Sequence, residues 1–155
     1  MVDATQTRRV LDFIDKGKAE GAALALGGQQ VRKETGGFYI EPTIFDRVEN
    51  GMTIAREEIF GPVLSTIAFK TPDEAVKLAN DSKYGLEANL WTNDLTKAHK
   101  IARALRAGTV TVNTRDGGGI EVPFGGYKQS GTGRDKSLHA LEKYTQLKTT
   151  YIQIG

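Results

Sequence analysis

"VLSTIAFKTPDEAVKLANDSKYGLEANLWTNDLTKAHKIARALRAGTVTVN", residues 63–113, switches repeatedly between a two-residue and a helical hydrophobic period. Val63–Phe69 alternates as a strand does. Thr71 can then cap a helix, Pro72 suits its first position, and Glu74 completes a capping box. Ala75, Val76, Leu78 and Ala79 supply its apolar surface, and Gly85 lies beyond its end. Leu86–Thr92 reads as a second strand. Asn93 or Asp94 caps a second helix, with Leu95, Ala98, Ile101, Ala102 and Leu105 in register. The β-branched run Gly108–Asn113 reads as a third strand. Strand, helix, strand, helix, strand with short connections predicts parallel strands covered by helices, an α/β fold.

Outward from this stretch the pattern is less regular. Thr5 to about Glu20 predicts a helix, with Val10, Leu11 and Ile14 as its apolar stripe and Gly21 as its stop. Ala22–Leu26 is a short strand candidate, and Gly27–Gly37 a polar loop. Phe38–Val48 reads as extended, but Pro42 cannot donate to a ladder and assigns the segment to an edge or a bulge. Val112–Asp135 is rich in glycine, and a structureless stretch of this length marks either a functional loop or a wrong assignment. Ser137–Tyr144 reads as a short helix and Gln146–Ile154 as an alternating strand.

The 155 residues are 39% hydrophobic and 26% charged, as in an ordinary globular domain. A net charge of +2 gives no electrostatic reason to expect nucleic acid or an anionic membrane as partner. No apolar run is long enough to cross a bilayer, and Met1–Gly21 has no apolar signal core, so a cytoplasmic protein is expected. The chain has no cysteine, which excludes disulfides, thiolate chemistry and Cys-ligated metal within it. His99 and His139 stand far apart and no acidic cluster has ligand spacing, so no metal site is expected. Gly131-Thr132-Gly133 lacks the third glycine of a dinucleotide fingerprint, and no Walker A pattern occurs. Ser130, Asp135 and His139 share a segment but no geometry that would define a triad. Lys97, Lys100, Arg103 and Arg106 form a basic helix face best read as solvated.

"AREEIFGPV", Ala55–Val63, sets two acids against an aromatic in a Gly-Pro turn. Two readings are open. Phe60 enters the core and the acids face water, or a carboxylate accepts both hydroxyls of a ribose while the ring packs on a flat heterocycle.

"REEIFGPV", then "PFGGYKQSGTGRD" about sixty residues later, then "YTQLKT", resemble the C-terminal part of the aldehyde dehydrogenase superfamily, with family-like spacing. The resemblance covers Val2 to about Ile154. "GRDKSLHALEKYTQLKT" further resembles the bacterial gamma-glutamyl-gamma-aminobutyraldehyde dehydrogenases. The resemblance implies NAD(P)+-dependent oxidation of an aldehyde to a carboxylic acid through a cysteine thiolate. It implies that Glu58 holds the nicotinamide ribose, that Phe60 packs near the nicotinamide, and that Gln6 approaches the cofactor from the first helix. Phe124 would line the aldehyde tunnel. Gly118, within Gly117-Gly118-Gly119, stands where many relatives carry bulk, which would widen the tunnel mouth for a long amino-aldehyde.

The resemblance divides the chain into residues 1–145, part of the catalytic domain, and residues 146–155, an oligomerisation strand that makes a homo-oligomer the expected assembly. The family's nucleophilic cysteine, general base and dinucleotide-binding half precede the region matched here. The 155 residues alone are therefore expected to have no catalytic residue, to bind NAD or NADP weakly or not at all, and to be inactive. Two origins stay open: a piece of a longer dehydrogenase, or a binding or oligomerisation module that keeps the fold without the chemistry.

Overall fold

Asp3 starts the first helix, α1 (Ala4–Ala19), by accepting the Gln6 amide at 2.7 Å, in the computed structural model, which describes residues 1–155. This side-chain oxygen satisfies one of the amides that a helix start leaves unpaired. Val10 and Ile14 of α1 are fully buried, with Phe13 beside them. Next come β1 (Ala23–Leu26), the two-residue strands β2 (Gln30–Val31) and β3 (Tyr39–Ile40), and β4 (Thr43–Asp46). The one-turn helix α2 (Thr53–Arg56) leads to β5 (Val63–Ser65). β1, β4 and β5 form one sheet in that order, β1 antiparallel and β5 parallel to β4. β2 and β3 make a separate antiparallel ribbon within the segment expected to be loop and extended chain.

The sheet corrects the reading of Pro42. β4 is central, not an edge, because Pro42 lies one residue ahead of it and its missing N–H falls outside the ladder. The bulge sits on β1, between Leu24 and Leu26. Phe45 of β4 is fully buried and packs with Val10, Phe13, Ile14, Ile40, Val48, Ile54 and Ile59. Burying one such ring contributes about 3 kcal/mol, so this cluster is the main source of stability for the first compact unit, Met1–Thr71.

The second unit, Pro72–Gly155, holds α3 (Pro72–Asn80), β6 (Glu87–Leu90), α4 (Leu95–Ala104) and β7 (Thr109–Val112). Asp94 caps α4 by accepting the Lys97 amide at 3.0 Å. β6 and β7 pair in parallel from Glu87↔Thr109 to Leu90↔Val112, and the carboxamide of Asn113 joins the strand ends by bonding the Thr92 amide and carbonyl. The elements expected over residues 63–113 all form, but not as one sheet. β5 stops at Ser65 and pairs with β4, because alternation marks a strand without naming its partner.

Past β7 the chain makes 3-10 turns at Lys128–Ser130 and Leu138–Lys143, the latter where a short helix was expected. Residues 145–155 form no regular element, and Leu147, Tyr151, Ile152 and Ile154 are exposed. The strand expected at Gln146–Ile154 is thus absent from the single chain, since a strand exists only against an edge that accepts its hydrogen bonds. No helix is long and apolar enough to cross a membrane.

Candidate functional site

The turn between α2 and β5 is built from α1. Ile59 enters the core at 8% exposure, whereas the next residue, Phe60, stands 74% exposed with φ +56°. The reading that put Phe60 in the core is corrected: Ile59 is the core residue and the Phe60 ring faces outward. Positive φ in a bulky residue is uncommon and costs on the order of 1–3 kcal/mol, so the surrounding contacts have to hold it there. Gln6 Nε2 donates to the carbonyls of Phe60 at 3.0 Å and Ile59 at 3.3 Å. Arg9, one turn further along α1, donates to the Glu58 carbonyl at 2.9 Å. Behind the turn, a Cβ on Gly61 would stand 2.6 Å from Val10 Cγ2, so only glycine allows so close a pass over the helix. The backbone of residues 58–60 is thereby pinned, while the exposed Glu58 carboxylate accepts no hydrogen bond from the chain.

Upstream, Glu20 fixes α2. The Thr53 hydroxyl and the Thr53 amide, the latter at 2.6 Å, both donate to its carboxylate. These bonds hold the Glu20 carboxyl below the ordinary glutamate value. A depressed carboxyl adds stability above its unfolded-state value, and that contribution is lost as pH falls through the folded one. The stability of the native chain should therefore drop more between neutral and acidic pH than that of Glu20→Ala. Urea unfolding followed at both pH values tests this; equal slopes would assign the bonds no weight.

In the second unit, the segment from Val112 to Asp135 is folded back on itself. Phe124 and Asp135 exchange amide-to-carbonyl bonds at 2.8 and 2.7 Å, and the Lys136 ammonium lies 5.7 Å from the Phe124 ring centroid. Arg134 donates to the Gly126 carbonyl at 2.9 Å and stacks over Tyr127. Gly118 has φ +85°, and a Cβ there would stand 2.5 Å from Val122 Cγ2, so local turn geometry already calls for glycine at this position. Gln6, Glu58 and Phe60 thus meet in the first unit, while Phe124 and Gly118 lie in the second.

Sequence reasoning gave Arg9 and Ile59 no part in this turn. Arg9 lies three residues from Gln6, on the same face of α1, a spacing that could have revealed it. The order of Ile59 and Phe60 carried no such signal, because both side chains are large and apolar.

The chain belongs to the aldehyde dehydrogenase family, whose profile it matches over residues 1–150. It is 50% identical over 158 residues to a betaine aldehyde dehydrogenase of Brucella melitensis, covering 100% of this chain and 32% of that protein. Among solved structures, it superimposes with a TM-score of 0.95 and 59% identity on an indole-3-acetaldehyde dehydrogenase of P. syringae in complex with NAD+ and IAA, covering 99% of this chain and 31% of that one. A gamma-glutamyl-gamma-aminobutyraldehyde dehydrogenase of Burkholderia cenocepacia J2315 is 60% identical with a TM-score of 0.92, over 97% of this chain and 30% of that one. The chain therefore spans about a third of the length of the relatives it matches.

Proposed function

We propose that these residues supply the nicotinamide-ribose contact and the aldehyde-facing wall of an NAD(P)+-dependent dehydrogenase that oxidises an aldehyde to a carboxylic acid. The observation that carries this reading is the turn at Glu58–Phe60. Vicinal ribose hydroxyls need a carboxylate with both oxygens available, and a nicotinamide needs a flat apolar surface. Glu58 offers the first and the outward Phe60 ring the second, on a backbone pinned by Gln6 and Arg9. Glu58 and Phe60 would hold the ribose and ring of NAD(P)+, which would supply the hydride acceptor when bound, while Gln6 keeps the turn in register.

Phe124 and Gly118 line the approach of the aldehyde in this reading. In this reading the substrate is an amino-aldehyde of the kind released in polyamine breakdown, for which Gly118 leaves the tunnel mouth without bulk and of which the gamma-glutamyl-gamma-aminobutyraldehyde dehydrogenase is one similar example. With no cysteine among these residues, the thiolate nucleophile comes from outside them. Residues 1–145 act as part of the catalytic domain. Residues 146–155, alternating and exposed, pair as an edge strand with a second copy in a cytoplasmic homo-oligomer.

The test has two arms. Calorimetric titration of the 155-residue chain with NAD+ should give a Kd weaker than about 1 mM, and aldehyde should yield no NADH. A chimera in which these residues replace the matching third of the indole-3-acetaldehyde dehydrogenase should oxidise aldehyde with NAD+. A folded but inactive chimera, or NADH production by the chain alone, would overturn the reading.

A further inference from the structure

We propose that Lys128 is a positioning residue for the aldehyde-facing wall, acting through the loop that carries Phe124; this rests on the reading of Phe124 given above. The Lys128 ammonium donates to the carbonyls of Asn80 at 2.8 Å and Ser82 at 2.9 Å. Asn80 is the last residue of α3, where a helix concentrates unpaired carbonyls and partial negative charge, and Ser82 follows it in the next turn. A lysine reaching in from a distant segment satisfies them and ties that segment down.

The tie joins three elements at one residue. The Asn80 side chain donates to the Ala104 carbonyl at 2.8 Å and accepts the Arg106 amide at 2.7 Å. It thereby holds the end of α4 while its own carbonyl holds Lys128. The residues flanking Lys128 are fastened to the same turn. Tyr127 N–H donates to the Gly85 carbonyl, Gln129 N–H to the Lys83 carbonyl, and the Ser130 hydroxyl accepts the Gly85 amide. Lys128 itself has φ +54°, a strained backbone setting that an interaction of this strength can hold.

Between Lys128 and Phe124 lie only Gly125, Gly126 and Tyr127, with Gly126 buried. Lys128 thus fixes one end of this short span, and Asp135, which exchanges backbone bonds with Phe124, fixes the other. The ammonium never touches the aldehyde in this scheme; it sets where the ring stands.

Lys128→Met keeps the chain length and removes the ammonium, and Lys128→Arg restores a cation. In the 155-residue chain, Lys128→Met should speed amide exchange at Phe124, Tyr127 and Gln129 about tenfold, with Lys128→Arg closer to the native chain. Core amides of α1 in the first unit should not change and serve as the control. In the chimera, Lys128→Met should raise KM for the aldehyde about tenfold and leave KM for NAD+ within about twofold. Unchanged exchange at Phe124, or equal shifts in both KM values, would overturn the proposal. An inactive native chimera would count against the proposed function instead, and the exchange comparison would still decide whether Lys128 fixes the loop.

Discussion

Glu58→Gln, introduced into the chimera that carries these residues, is expected to lower kcat/KM for NAD+ about 100-fold, the effect of weakening two charge-assisted hydrogen bonds to ribose hydroxyls. The same change should leave the unfolding midpoint almost unmoved, because the Glu58 carboxylate is exposed and accepts no bond from its own chain. This separation is the strength of the test. Arg9 holds Glu58 through the main-chain carbonyl, which glutamine keeps, so the turn retains its shape. Initial rates at varied NAD+, with thermal unfolding alongside, give both readouts. A stability loss with unchanged kinetics would make Glu58 a structural residue.

Gly108→Ala is expected to be the most destabilising single methyl in the chain. A Cβ at Gly108 would stand 1.7 Å from the Gly125 carbonyl oxygen, and the Gly108 amide is already bonded to Gly85 at 3.0 Å. Neither side can yield as a flexible side chain would, because Gly108, one residue ahead of β7, meets main chain at both Gly125 and Gly85. Overpacking of this kind costs about 3 kcal/mol or more, a large part of the stability of a small domain. Trp91 is the sole tryptophan and lies in the same unit, so its fluorescence during urea unfolding reports the loss. Gly133→Ala, in the same unit, where a Cβ would meet only the flexible Lys143 side chain at 3.4 Å, is the matched control and should be near neutral.

Helices α1, α3 and α4 were legible in the sequence because each carries its own evidence: an apolar stripe at Val10 and Ile14, a proline at Pro72, a cap at Asp94; the one-turn α2, with no side-chain cap, was not. Strand partners were not. Val63–Ser65 alternates whether it lies beside β6 or β4, and only three-dimensional proximity assigned it to β4. Pro42 misled for a related reason, since its effect depends on which single residue begins the ladder. The Glu58–Phe60 turn stood out as an acid-aromatic oddity before any coordinates. What could not be read was that Phe60 turns outward while Ile59 turns in, because that follows from a left-handed backbone fixed by Gln6 across more than fifty residues of sequence. The C-terminal residues show the same limit: Gln146–Ile154 has the pattern of a strand, yet it pairs with no strand of its own chain.

The junction at Gly85 also bears on how the protein is made. Its carbonyl receives both the Gly108 and the Tyr127 amides, and its amide is met by Ser130. On a translating ribosome, β6 and β7 leave the exit tunnel before Tyr127 and Ser130 do. Two parallel strands without that latch have little stability of their own. The second unit is therefore expected to lock only when the lysine-bearing turn has cleared the tunnel.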